Sequence, residues 1–441
     1  MMIKTKSVGM RHFREVAIGA ASAFLLRGAG AGLAFLLNVV IARLLGAHGA
    51  GLYFMSLSTV IILSVVARMG VDVSSLRHIS RAMVNQRWSE IVGYQRWSMW
   101  LVTSSSSVLA ITVAVAAPLI AVHVFGEPEL AVPLAIMSLA TVSFSLLTLI
   151  SENLKAAKRL KPAMLVSSVL YPFAALILIW PMTRQFGVSG ANITYVVSTA
   201  LVAAFGIITW NRTPEFSGVT PLRPDLRQLF KTAMPIWALT FVQQAIIPWA
   251  PLQILGMLGT PSDVGVFGAA TRVSMLILFF LVAMDSAIIP KFAEFIERDD
   301  MESLQRVGQN ATTMTAFLAV PVMLTFILGG GAIMSVFGPE FARGGTALAI
   351  LAVGQAVNLV TGSVGYLLII KGHESVVRNC AIIGGCVTVG LSFALIPSLG
   401  IAGAATASAL SIAVSNICLT IQLWRKMRIV ILPNLRSFKH R

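Results

Sequence analysis

Charge is what this sequence has least of. Only 11% of its 441 residues are Asp, Glu, Lys or Arg, whereas soluble proteins carry about a quarter. So few charges cannot coat a chain of this length in water, and a soluble globular protein is excluded. Carboxylates are the scarcer sign, with 17 Asp and Glu against 33 Lys and Arg, for a formal net charge of +16. Cysteine is scarcer again. Cys380, Cys386 and Cys418 offer neither metal-ligand spacing nor a convincing disulfide, and read as small buried apolar residues. Catalytic sets are also missing. The inner loops hold no P-loop and no acidic metal cluster, and the outer loops are too short for an active-site domain. Neither an enzyme nor a cofactor is expected.

What is abundant is apolar sequence, 57% of the chain. It falls in blocks of roughly 20 residues, enough to cross about 30 Å of hydrocarbon as helix. Helices satisfy their own backbone groups in lipid, so the expected fold class is an all-α polytopic membrane protein. Twelve spans are predicted: 17–43, 50–68, 98–120, 131–151, 163–182, 190–210, 233–257, 264–289, 311–336, 345–370, 377–396 and 402–424. The first follows Lys4, Lys6, Arg11 and Arg14 and contains Arg27. It is too long for a signal peptide and reads as an uncleaved helix.

The positive charges sort by loop. Of 33 Lys and Arg, 28 lie in the two tails and in alternate loops. The positive-inside rule then places both termini and the even-numbered loops in the cytoplasm. The basic character is topology plus attraction to anionic membrane lipids, and nucleic acid is not an expected partner.

The chain is also written twice. Leu44–Phe54, LLGAHGAGLYF, returns as MLGTPSDVGVF at 257–267 with one residue inserted, an offset of 213–214. VFGEPEL at 124–130 returns as VFGPEF at 336–341, and FGVSGA at 186–191 as LGIAGA at 399–404. Three separated markers with nearly one offset predict two parallel six-helix lobes, 1–211 and 225–441. The proline-bearing cytoplasmic linker 212–224 joins them, and the second lobe ends in a basic cytoplasmic tail. All three markers fall at outward hairpins, where glycine permits tight turns and close helix approach. A central cleft and alternating access follow from that architecture.

Charge inside a span is the sharpest functional signal, because an arginine at mid-membrane costs about 2.5–3.5 kcal/mol. Arg27 stands roughly 15 Å into the first span and Arg272 roughly 12 Å into the eighth, by helical rise. Each can clamp a phosphate through its fork of donors. Asn38 lies three helical turns from Arg27 on the same face. Gln243 and Gln244 sit among Pro235, Pro248 and Pro251 in the seventh span. These five residues are the expected cleft-lining, substrate-binding set. Thr141, Ser145 and Thr148 in the fourth span read instead as helix–helix contacts. Asp285 is a possible coupling carboxylate, though an inner-side ion pair with Arg68, Arg77 or Lys291 is the preferred reading, as for Asp72. His48 and His123 stand alone and read as solvated loop residues.

The first hairpin ARLLGAHGAGLYF, with LLIIKGHE (367–374) and ALIPSLGIAGAATASAL (394–410), resembles the polysaccharide biosynthesis (Wzx-type) oligosaccharide flippases. These belong to the MOP superfamily with the MATE exporters and lipid II flippases. The resemblance spans essentially the whole chain, and its turn motifs mark the fold better than the substrate. It implies a multi-pass protein of the bacterial inner (plasma) membrane that flips a polyprenyl-diphosphate-linked oligosaccharide repeat to the outer leaflet. The product would be lipopolysaccharide O-antigen, capsule or exopolysaccharide, with a glycan polymerase and glycosyltransferases of the pathway as further partners. The resemblance also implies that spans 1, 2, 7 and 8 border the cleft. The alternative is a MATE-like, ion-coupled exporter of small molecules.

Overall fold

A computed structural model describes residues 2–216 and 218–434, with only the helical backbone for residues 2–24, 226, 228–232, 235, 286 and 287. Arg436, Lys439 and Arg441 of the basic tail lie outside the described residues, as do the side chains of Lys4, Lys6, Arg11 and Arg14. The described chain is helical, without strands. In order the helices are α1 (Met2–Arg68), α2 (Val71–Val84), α3 (Trp88–His123), α4 (Ala131–Ser138), α5 (Ala140–Ala156), α6 (Leu160–Met164), α7 (Leu170–Asn211) and α8 (Leu226–Phe241). There follow α9 (Ile247–Leu258), α10 (Pro261–Ser274), α11 (Leu278–Glu297), α12 (Met301–Leu328), α13 (Gly330–Met334), α14 (Gly345–Thr361), α15 (Val364–Ile370) and α16 (Glu374–Met427).

Among the described residues, nine helical stretches are long and apolar enough to cross a membrane. Three of them are too long for one crossing. Leu25–Arg68, Leu160–Asn211 and Glu374–Met427 have 44, 52 and 54 residues. At 1.5 Å per residue the shortest would run about 66 Å, twice the hydrocarbon thickness. Each is interrupted by one glycine, Gly46 (φ 67°), Gly187 (φ 55°) or Gly400 (φ 53°). A side chain at positive φ is strained, so glycine is the residue that turns a helical chain there.

The helices gather into two compact units. One comprises Met1–Leu37, Leu63–Ala117 and Val132–Trp237; the other comprises Asn38–Ile62, Pro118–Ala131 and Ala238–Arg441. The first has a core of Ile79, Ile91, Ile150, Leu154 and Val202 capped by Trp210 and Phe216. Some polar groups pair inside it: Arg68 pairs with Asp72 at 3.4 Å, both buried, and Ser75 donates to Asn153, which donates to Gln95. The second is centred on Ile288, Phe292, Leu304, Leu367, Leu368 and Leu423.

Within the second unit the two copies of the duplicated hairpin meet. A Cβ at Gly51 would lie 1.7 Å from the Pro261 carbonyl oxygen, and one at Gly265 would lie 2.1 Å from that of Ala47. Gly51 and Gly265 occupy equivalent places in the repeat, so the same glycine in each copy gives its partner room. Polar contacts ring this seam. Arg43 Nε donates to the Val336 carbonyl (2.8 Å), the Ala47 N–H to Glu340 Oε2 (3.0 Å), and Arg343 pairs with Asp263 (2.9 Å). Asp263 also closes a capping box with Thr260 at the start of α10.

Three side-chain expectations change. His48 is exposed but not alone, because its Nε2 lies 3.0 Å from Glu129 Oε2. Thr141 and Ser145 are buried with hydroxyl oxygens that find no partner among the described residues. The bond between helices is made two residues along from Thr141, by Ser143 to Thr199 at 2.7 Å. Cys380 and Cys418 are free thiols in contact, sulfurs 2.8 Å apart, while Cys386 is exposed.

Candidate functional site

Arg272 lies in α10, one turn after Gly268. Its Nη1 donates back to the Gly268 carbonyl at 2.8 Å. The guanidinium carbon sits 3.9 Å above the Phe54 ring centroid and 5.8 Å from that of Trp249. Desolvated stacking of this kind is worth about 2 kcal/mol. Gly268 makes the stack possible, because a Cβ there would lie 2.5 Å from Phe54 Cδ2. The half-buried arginine is thus held by a ring, a carbonyl and its own helix.

A second polar group in the same unit escaped the sequence reading. Gln253 of α9 is buried, and its Nε2 donates to Ser58 Oγ (2.9 Å) and Thr59 Oγ1 (2.8 Å). Its Oε1 finds no partner among the described residues. An amide between Pro251 and Gly256 in an apolar run was the available signal. Ser58 is also the repeat equivalent of Arg272, at the offset of 214 that relates Gly51 to Gly265.

Gln243 and Gln244 are exposed and lie in a π-helical turn, Val242–Ile246. The turn ends just before α9, whose second residue is Pro248. Proline lacks an N–H and crowds the preceding turn, so a widened turn before it is a physical consequence of the sequence. Asn38 is half-buried and engaged. Asp285, in α11, accepts a hydrogen bond from Ser363 rather than forming the expected ion pair, whereas Asp72 makes the ion pair expected of it, with Arg68. Asn38, Gln243, Gln244, Arg272 and Asp285 belong to the second unit, whereas Arg27 belongs to the first. Arg27 is exposed on α1, and among the described residues no side chain or backbone group pairs with it. No group of three His, Cys, Asp or Glu side chains among the described residues could hold a metal ion.

Residues 16–296 match the family model described as polysaccharide biosynthesis protein. Two curated relatives come from the archaeon Haloferax volcanii. The probable low-salt glycan biosynthesis flippase Agl15 is 29% identical over 170 residues, 38% of this chain and 36% of the relative. The probable flippase AglR is 23% identical over 294 residues, 64% of this chain and 58% of the relative. The matched chain therefore spans between about a third and three-fifths of these relatives. Among solved structures, an inward-facing multidrug resistance MATE family transporter of the MOP superfamily superposes with a TM-score of 0.76. It is 18% identical, and the match covers 96% of this chain and 99% of that one. That likeness carries the fold, a MATE-like all-α multi-pass membrane architecture, and the family match carries the lineage: the chain belongs to the polysaccharide biosynthesis protein family.

Proposed function

We propose that this transporter moves a polyprenyl-diphosphate-linked oligosaccharide from the cytoplasmic to the outer leaflet by alternating access. The observation that carries this reading is Arg27, a cation inside an apolar helix that no group among the described residues engages. An intramembrane arginine needs an anion or water, and a diphosphate headgroup supplies the anion in bidentate geometry. Asn38, Gln243, Gln244 and Arg272 complete the proposed binding set, with their hydrogen-bonding capacity suited to sugar hydroxyls. The glycine interruptions at Gly46, Gly187 and Gly400 are read as hairpins, which turns nine helical stretches into twelve spans. The proposed lobes are 1–211 and 225–441, joined by a cytoplasmic linker at 212–224, with both termini in the cytoplasm. Biosynthetic enzymes of the same glycan are the proposed partners.

The test is leaflet accessibility in proteoliposomes loaded with a fluorescent polyprenyl-diphosphate glycan. Protein-dependent appearance of the glycan at the opposite leaflet is expected; a protein that leaves it where it started overturns the reading. The hairpin seam is the proposed outer gate. Gly51→Val pushes a side chain onto the Pro261 carbonyl, a backbone atom that cannot yield, so the seam stays open and transport falls to the background of empty vesicles. Wild-type transport by that variant would remove the gate.

A MATE-like, ion-coupled exporter is the second reading, favoured by one observation: Asp285 is a carboxylate on a hydroxyl partner, outside the ion pairs expected for it. Proton-driven efflux of small molecules that disappears in Asp285→Asn would select this reading over the first.

A further inference from the structure

Two adjoining cavities in the first unit have no role in the transport path proposed above. One, of about 370 Å³, is walled by His78, Arg81, Arg87, Glu90 and Tyr94, and by residues 222–225, where the linker segment ends. The other, of about 330 Å³, is walled by Arg96, Trp97, Trp100, Pro221 and Arg223. Arg223 belongs to both walls.

The linker is seated here rather than draped. The Leu222 N–H donates to the Ser89 carbonyl at 2.9 Å. Gly93 admits it, since a Cβ there would lie 1.8 Å from the Leu222 carbonyl oxygen. The His78 and Tyr94 rings stack at 4.7 Å and form the floor of the first cavity.

The two cavities differ in chemistry. The first is predominantly polar, and Arg87 is already paired with Glu90 at 3.2 Å. The second is predominantly apolar, lined by two indoles meeting edge to face at 5.7 Å and by the Pro221 ring. Across both, four arginines face two carboxylates, Glu90 and Asp225, leaving an excess of two positive charges. Trp100 is 59% exposed on α3, near the sequence-predicted start of the third span. Indole rings suit the boundary between headgroups and acyl chains.

We propose that the two cavities together bind one amphiphile with a phosphate or diphosphate headgroup. The headgroup lies at Arg81 and Arg223, and its chain crosses Trp97, Trp100 and Pro221. Arginine forks match phosphate oxygens, and the apolar cavity continues from the polar one through the shared Arg223. Two sources carry that chemistry, an anionic phospholipid of the bilayer and a polyprenyl diphosphate; only the second rests on the function proposed above. Because Arg223 lies in the segment joining the two sequence repeats, occupancy pins that segment to α3.

The test is calorimetric titration of the full chain in detergent with farnesyl diphosphate. The Arg27→Ala background keeps the proposed transport site from contributing. Binding is expected, with farnesol and inorganic diphosphate each weaker than the amphiphile. Arg223→Ala removes a charge-assisted contact and weakens binding by roughly tenfold to a hundredfold. Trp100→Ala also weakens it. Both side chains are exposed, so both variants fold, which circular dichroism checks. Displacement of the probe by phosphatidylglycerol micelles assigns the site to a bilayer lipid; no displacement assigns it to a prenyl diphosphate. Absence of binding, or wild-type affinity in both Arg223→Ala and Trp100→Ala, overturns the proposal. Neither outcome bears on transport, which the leaflet assay reads separately.

Discussion

Arg27 and Arg272 are two arginines in apolar helices, and the molecule treats them differently. Arg272 stands over Phe54, reaches back to the Gly268 carbonyl and faces Trp249. Arg27 stands on α1 with no group among the described residues to meet it. The first has its desolvation offset by a cage that the fold supplies, so removing it disturbs the cage. The second gains no such contact from the described residues, and that contrast is the ground for proposing it as the phosphate ligand.

The largest expected effect follows from that contrast. Arg27→Ala should lower leaflet transfer of the labelled glycan to near background while leaving the thermal midpoint unchanged. A large drop in the midpoint would show that Arg27 is structural and erase the distinction. Next in size is the cage. Arg272→Ala should destabilise the protein by about 2 kcal/mol, measured by denaturation in detergent, with only partial loss of transport. Gly268→Val should do the same by displacing the Phe54 ring. If Gly268→Val leaves stability intact, the cage is not what holds Arg272.

The smallest effect tests a third basic group, His78. Burial pushes its imidazole below the ordinary histidine value, and nearby Arg81 adds to the shift while Glu90 opposes it. Its Nε2 is buried without a hydrogen-bond partner among the described residues. The folded state therefore prefers the neutral ring. That stability is present above the unfolded value of about 6.5 and is lost as pH falls through the lower folded value. The thermal midpoint should fall on acidification below pH ~6.5 and fall less in His78→Phe. Identical pH profiles for the two proteins would exclude His78 as the cause.

Hydrophobic blocks and glycine spacing made much of the fold legible. The turns at Gly46, Gly187 and Gly400 lie where the sequence separates spans. The glycines of the first hairpin were readable as packing residues, but their contact atoms, the carbonyls of Pro261 and Ala47, depend on how distant segments dock. The site divides in the same way. A charge in an apolar run is visible in one dimension, which is why Arg27 and Arg272 stood out. The Phe54 ring beneath Arg272 is not, since aromatic residues are ordinary in a span. Gln253 is a single amide in an apolar run, a weaker signal in sequence than the doubled amide of Gln243 and Gln244. The inner-side cations Arg68, Arg77 and Lys291 are visible in the sequence as partners for Asp285, whereas the Ser363 hydroxyl that meets it, 78 positions away, is marked by no pattern.

Phe54 and Gly268 have one more implication. They occupy the same place in the two repeats, 214 residues apart, and they touch, ring against bare α-carbon. Two identical subunits meeting about an axis would set phenylalanine against phenylalanine there, or glycine against glycine, giving either a clash or a hole. Lock and keyhole at one position require two different genes or a single tandem one. A tandem chain can also give one copy a serine and the other an arginine a turn further on, as at Ser58 and Arg272. A charge that would repel its twin in a homodimer can then exist singly.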